Sequence, residues 1–134
     1  MFLRFISPLR EGGGRAIHYG IFQAVYHCRD ELELPHWHRA LLVEQLDWFK
    51  AKLPSPAERH FIPRSGRDHR FEAICWFKGE ATDMVRRAWE MKATIELAGL
   101  HITVRQARDV GAVCYEDAYQ VVARPRRDAV PKFG

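Results

Sequence analysis

Between Phe71 and Ala123 the spacing of apolar residues changes character repeatedly, and that alternation limits what the chain can fold into. The run FEAICWF, residues 71–77, is apolar on both faces in its middle, as expected of a strand covered on at least one side. Then Ala81, Met84, Ala88, Met91, Ile95 and Ala98 step by three and four, the spacing of one helical face. Gly99 stands where a left-handed C-terminal cap belongs. Ile102 and Val104 alternate with Thr103 and Arg105, the run RDVG turns the chain, and Ala112 to Tyr115 and Tyr119 to Ala123 are again extended before Pro125. Strand, helix and strand predict a crossover unit, which should be right-handed where its strands are parallel. The two later strands are expected to continue it as a meander.

The first half is less regular. Phe2 to Ile6 reads as a short strand and the glycines at 12–14 as a flexible connection. Residues 20–29 (GIFQAVYHCR) carry strand-like β-branched and aromatic residues, yet Ile21, Val25 and Cys28 share one helical face, which favours helix. Across residues 36–53, Leu42, Leu46, Phe49 and Leu53 form a narrow apolar stripe, widened by Leu41 and Trp48, with Glu44 and Asp47 away from it. Pro35 suits the first helical turn and Pro54 stops the helix. From Pro54 to Arg70 periodicity is lost, as in a long surface loop. The expected architecture is one α+β domain over residues 1–134. It is a two-layer sandwich, with a mixed or antiparallel sheet of four or five strands and about three helices mainly on one face. Residues 124–134 form a basic, flexible tail.

Composition excludes several classes. The chain is 47% hydrophobic and 28% charged, ordinary for a globular protein and unlike a disordered one. No apolar run approaches the roughly 20 residues of a membrane helix, so no membrane association is expected. The opening MFLRFISPLR reads as a strand, not a cleavable leader. Three cysteines (Cys28, Cys75 and Cys114) without CxxC spacing read most simply as free buried thiols in a reducing cytoplasm. The net charge of +4 is concentrated in two places. Arg59, Arg64, Arg67 and Arg70 mark a loop at 59–70; Arg124, Arg126, Arg127 and Lys132 mark the tail at 124–132. Such clusters could hold nucleic acid or an acidic protein. The plainer alternative is a solvated loop and tail.

The acids Glu116 and Asp117 sit side by side between two extended runs. On a strand they would point to opposite faces and share nothing. At a hairpin bend both would reach water, and Asp can bond the backbone two residues on. The bend is the more economical reading than a catalytic pair. Cys28, His36 and His38 invite a metal, but His36 and His38 diverge by about 200° on a helix and match no zinc spacing. They read as surface or capping groups, and no metal site or cofactor is expected. His60 and His69 share the Arg-rich loop with Asp68 and could serve a metal-free hydrolase or nuclease, although nothing sets a base against a nucleophile. Motifs of the GxGxxG, GxxxxGK[ST], GxSxG and HExxH kind are missing. Trp89 and Leu97 fall off their helix stripe and Trp37 is offset in the earlier helix. Each either packs under a loop or marks a protein interface, where Trp is enriched.

The string CWFKGEA, a helix, and GAVCYEDAYQVVARP resemble a group of small bacterial proteins without assigned activity, in which WFK precedes a helix and a GxVxYEDxxQVVAxP string closes the domain. The likeness covers the last half of the chain, with echoes in GIFQA and LDWFKAKLP. It implies no activity and no functional residues. Small proteins of this kind also occur as products of mobile gene cassettes. The function expected first is a non-enzymatic binding or interaction module, homodimeric through Trp37, Trp89 or Leu97. The alternatives are a nucleic-acid binder and the small hydrolase.

Overall fold

The computed structural model describes residues 1–10, 18–57, 60 and 73–125. Its elements are β1 (Phe2–Arg10), β2 (His18–Gly20), α1 (Ile21–Glu31), α2 (His36–Lys52), β3 (Ile74–Lys78), α3 (Thr82–Leu97), β4 (Thr103–Ala107), β5 (Ala112–Glu116) and β6 (Gln120–Arg124). The two-layer α+β sandwich is borne out: an antiparallel sheet carries three helices packed on one face. Among the described residues no helix is long and apolar enough to cross a membrane. The glycines at 12–14 and most of the expected 54–70 loop lie outside the described residues.

Each helix forms where one apolar stripe can be buried. In α1, Ile21, Ala24, Val25 and Cys28 are buried, an i, i+3, i+4, i+7 set that settles residues 20–29 as helix. In α2 the set is His38, Leu42, Leu46 and Phe49; in α3 it is Met84, Ala88, Met91, Thr94 and Ile95. Gly99 has a positive φ of 98° after α3, as its place in the sequence predicts. His38 Nε2 meets the Thr94 carbonyl at 2.7 Å and the Arg87 guanidinium lies over the Trp48 ring, so α2 and α3 run antiparallel. Phe77 on β3 is the hub of the core between layers, with ring centroids 6.0–6.3 Å from Phe49, Phe5 and Phe22.

The strand order corrects the expected connectivity. β3 and β4 do run parallel, as a crossover requires, but β1 lies between them and pairs antiparallel with both. β4 and β5 are not neighbours either; the sheet runs β4–β1–β3–β6–β5, with β2 beside β1 where β3 leaves it. Register puts Ala107 level with Phe2 and Lys78 at one end of the sheet, and Ala112 opposite Arg124 at the other. The RDVG run therefore joins diagonally opposite corners. In a flat sheet those corners would stand more than about 19 Å apart, given strand spacings of about 4.8 Å. Five Cα steps reach only about 17 Å. The sheet must coil, and the connector lies across the face opposite the helices, where Val110 joins Ile74, Trp76, Val121 and Ala123 in a second core.

Gly111 makes this strap possible. Its φ is +100°, and an added Cβ would drive into the Arg124 carbonyl oxygen and stand 2.9 Å from Pro125 Cα. Asp109 Oδ1 accepts the Gly111 N–H at 2.9 Å and fixes the turn. Gly99 has a similar φ but open space around it. Gly111→Ala is expected to lose about 2–4 kcal/mol of stability, combining backbone strain with overlap. Gly99→Ala should lose only about 1 kcal/mol. Urea denaturation of the two variants checks the ranking.

Candidate binding site

The site grows out of the fork in the sheet. β3 pairs with β1 only at Phe2↔Lys78 and Leu3↔Phe77, and then the two strands part. From there β1 turns to β2, and α1 begins at the residue after β2, so the helix is planted away from the first half of β3. Between α1, the end of α2, the residues that follow it and the open half of β3 lies a cavity of about 370 Å³. Phe22 and Tyr26, four apart on α1, form one wall. Leu46, Phe49 and Leu53 form another, Pro54 and Pro56 a lip, and Cys75, Gln120 and Val122 the floor. Gln23, Lys50, Ser55 and Ala73 also line it.

The floor is a closed hydrogen-bonded set. The Cys75 thiol donates to Gln120 Oε1 at 3.0 Å. Gln120 Nε2 donates to the Pro54 carbonyl at 2.7 Å and to Asp117 Oδ2 at 3.0 Å. Gln120 is only 2% exposed, and both its amide hydrogens are used. It ties the chain leaving α2 to the β5–β6 turn. Tyr115 donates its phenol to Asp117 Oδ2 at 2.8 Å, and Asp117 Oδ1 accepts the backbone N–H groups of Tyr119 and Gln120. Burial alone would raise the Asp117 pKa, but the bonds from Gln120, Tyr119 and Tyr115 outweigh it and hold the carboxyl below its ordinary value.

Asp117 is thus the bend residue expected from the sequence, bonding the backbone two residues on, and also the anchor of the cavity floor. Glu116 points elsewhere, to Lys78 Nζ at 2.6 Å. Tyr115, donating to Asp117, is held above the usual phenol range. Its ring meets the His60 ring edge-on at 4.9 Å. His69, the second histidine of the hydrolase reading, lies outside the described residues, as do Arg59, Arg64, Arg67, Arg70, Arg126 and Arg127. Of the basic residues singled out, Arg124 is described, half-buried at the end of β6.

Two expectations are corrected. His36 and His38 were read as surface or capping groups; His36 is exposed, but His38 is 3% exposed and bonded across the helix pair to Thr94. Their divergence around the axis places one outward and hence the other inward. Among the described residues no three histidine, cysteine or acidic side chains come together as metal ligands. The cysteines were read as buried, yet only Cys28 is; Cys114 is half-buried and Cys75 opens onto the cavity. Of the offset apolar residues, Trp89 is half-exposed with one edge on Phe5 at 5.4 Å, whereas Trp37 and Leu97 stay 59% and 69% exposed.

The cavity itself escaped the sequence reading, because its walls come from α1, α2, β3 and β6. Phe22 and Tyr26 carry the one local signal, a second apolar stripe on α1 beside the buried one. Comparison with family models, with curated proteins and with solved structures finds no match for the chain.

Chemically the floor is quiet. Although Cys75 is exposed toward the cavity, desolvation of its thiol pushes the pKa up to about 12, with nearby Asp117 adding to it. The thiolate is the nucleophile, so near neutral pH Cys75 is an inert donor. The sign follows: a raised thiol pKa leaves less thiolate at every pH below 12. At pH 8, iodoacetamide should alkylate Cys75 about a hundredfold more slowly than a free cysteine of ordinary pKa, even after allowing for the greater nucleophilicity of a more basic thiolate. The rate should climb about tenfold per pH unit while the fold persists. Peptide mapping by mass spectrometry follows it.

Proposed function

We propose that the protein is a non-catalytic binding module that takes a small apolar ligand between helix α1, the end of α2 and the open half of β3. The observation that carries this reading is the cavity of about 370 Å³, walled by Phe22, Tyr26, Phe49 and Val122. That size falls within the usual range of ligand pockets, as does a mostly apolar lining with a few fixed polar groups. The inert thiol on its floor supports binding over covalent chemistry. Titrating the ¹⁵N-labelled protein with 1-octanol is expected to shift the amides of Phe22, Tyr26, Leu53, Ala73 and Val122 together, with one dissociation constant. Shifts scattered over the surface, or none, would overturn the reading.

A second reading, self-association, is supported by Trp37 and Leu97. Trp37 adjoins His38, and Leu97 follows Thr94 by three residues, so the buried His38–Thr94 contact puts both at one end of the helix pair. Sedimentation should then show a dimer that Trp37→Glu and Leu97→Glu both weaken at least tenfold. A monomer at high concentration counts against it.

A further inference from the structure

We propose that the ligand of this cavity is an amphipathic monoanion, a medium-chain or aryl carboxylate, whose charged end rests against Lys50; this rests on the cavity being a binding site. The lining is one-sided in charge. Among the described lining residues Lys50 is the one charged side chain, and none of them is a carboxylate. The Tyr26 wall places Lys50 within reach of the entrance. Lys50 Nζ lies 5.8 Å from the Tyr26 ring centroid, and the Arg29 guanidinium lies 5.0 Å from the same ring. Arg29 is paired with Asp30 through two nitrogens, at 2.7 and 3.0 Å, so among the described residues Lys50 is the cation of this wall open to a ligand.

The floor points the same way by elimination. Gln120 has no amide hydrogen left to give, and Asp117 is turned to Gln120, Tyr115 and the bend. Cys75 spends its proton on Gln120. A polar ligand head driven to the floor would find few donors and would leave its own groups unpaired, at a cost. An apolar body seated on Phe22, Phe49 and Val122 meets no such cost, and the head then stays at the rim. At about 30 Å³ for each water-sized group, the cavity holds a body on the order of a dozen heavy atoms.

The test compares octanoate, 1-octanol and octylammonium, three heads on one apolar tail, by amide-shift titration at low ionic strength, in the native protein and in Lys50→Met. Lys50 is exposed on α2, so its replacement leaves the core untouched. Octanoate is expected to bind about five- to tenfold more tightly than octanol, with octylammonium weakest, and the preference should shrink with salt. In Lys50→Met the preference should vanish, leaving octanoate no tighter than octanol. If octanol equals octanoate in the native protein, or if the preference survives in Lys50→Met, the anionic ligand class is overturned and the cavity reading stands. If none of the three moves the amides around the cavity, both fall.

Discussion

The architecture depends on how β1 divides its two edges. One edge pairs residue by residue with β4, from Phe2↔Ala107 to Ile6↔Thr103. The other is shared, first by β3 over two residue pairs and then by β2. One edge of a strand cannot serve two partners at one position, so β3 has to part from β1 where β2 begins. α1 grows directly from β2 and follows β1 away from β3. Phe77, just inside the fork, closes the gap with Phe5, Phe22 and Phe49. Beyond it, Ala73 and Cys75 lie at the base of the cavity that Phe22, Tyr26 and Phe49 wall.

The opposite face obeys a second constraint. The helices cover one side of the sheet, and Trp76, Ile74 and Val121 would otherwise be apolar surface on the other. The Arg108–Gly111 strap covers them with Val110, and it can do so because a coiled sheet brings its diagonal corners together. The local chemistry of RDVG was legible: an aspartate bonding two residues on and a glycine at positive φ make a turn in any context. What it connects was not. A tight hairpin and a diagonal strap use the same turn chemistry, and only the pairing of β4 with residues 2–6, about a hundred positions away, tells them apart.

The same division runs through the rest of the chain. Helices were readable because their stripes repeat within a few residues, as in Met84, Ala88, Met91 and Ile95. The bend at Asp117 was readable because the acid bonds its own neighbours. The partners of His38 and Cys75 were not, since Thr94 and Gln120 lie 56 and 45 residues away. An apolar run around Cys75 suggested burial, but a strand in a forked sheet can be flanked by apolar neighbours and still open on a void. The cavity needed four elements placed at once, and no single stretch could announce it.

The polar groups beneath that void explain its character. A buried amide with a thiol, a phenol and a carboxylate gathered round it would be a liability if left unpaired. Here each serves another: Cys75 to Gln120, Gln120 to Pro54 and Asp117, Tyr115 to Asp117. A set that satisfies itself is rigid, and it neither needs nor rewards a ligand head. On the proposed binding reading, shape and apolar contact would govern how deeply a molecule enters. Discrimination between heads would then pass to the rim, where Lys50 on α2 faces Tyr26 on α1 across the entrance. That reading seats affinity and selectivity on different elements of the fold, the first on the fork in the sheet and the second on the two helices it pushes apart.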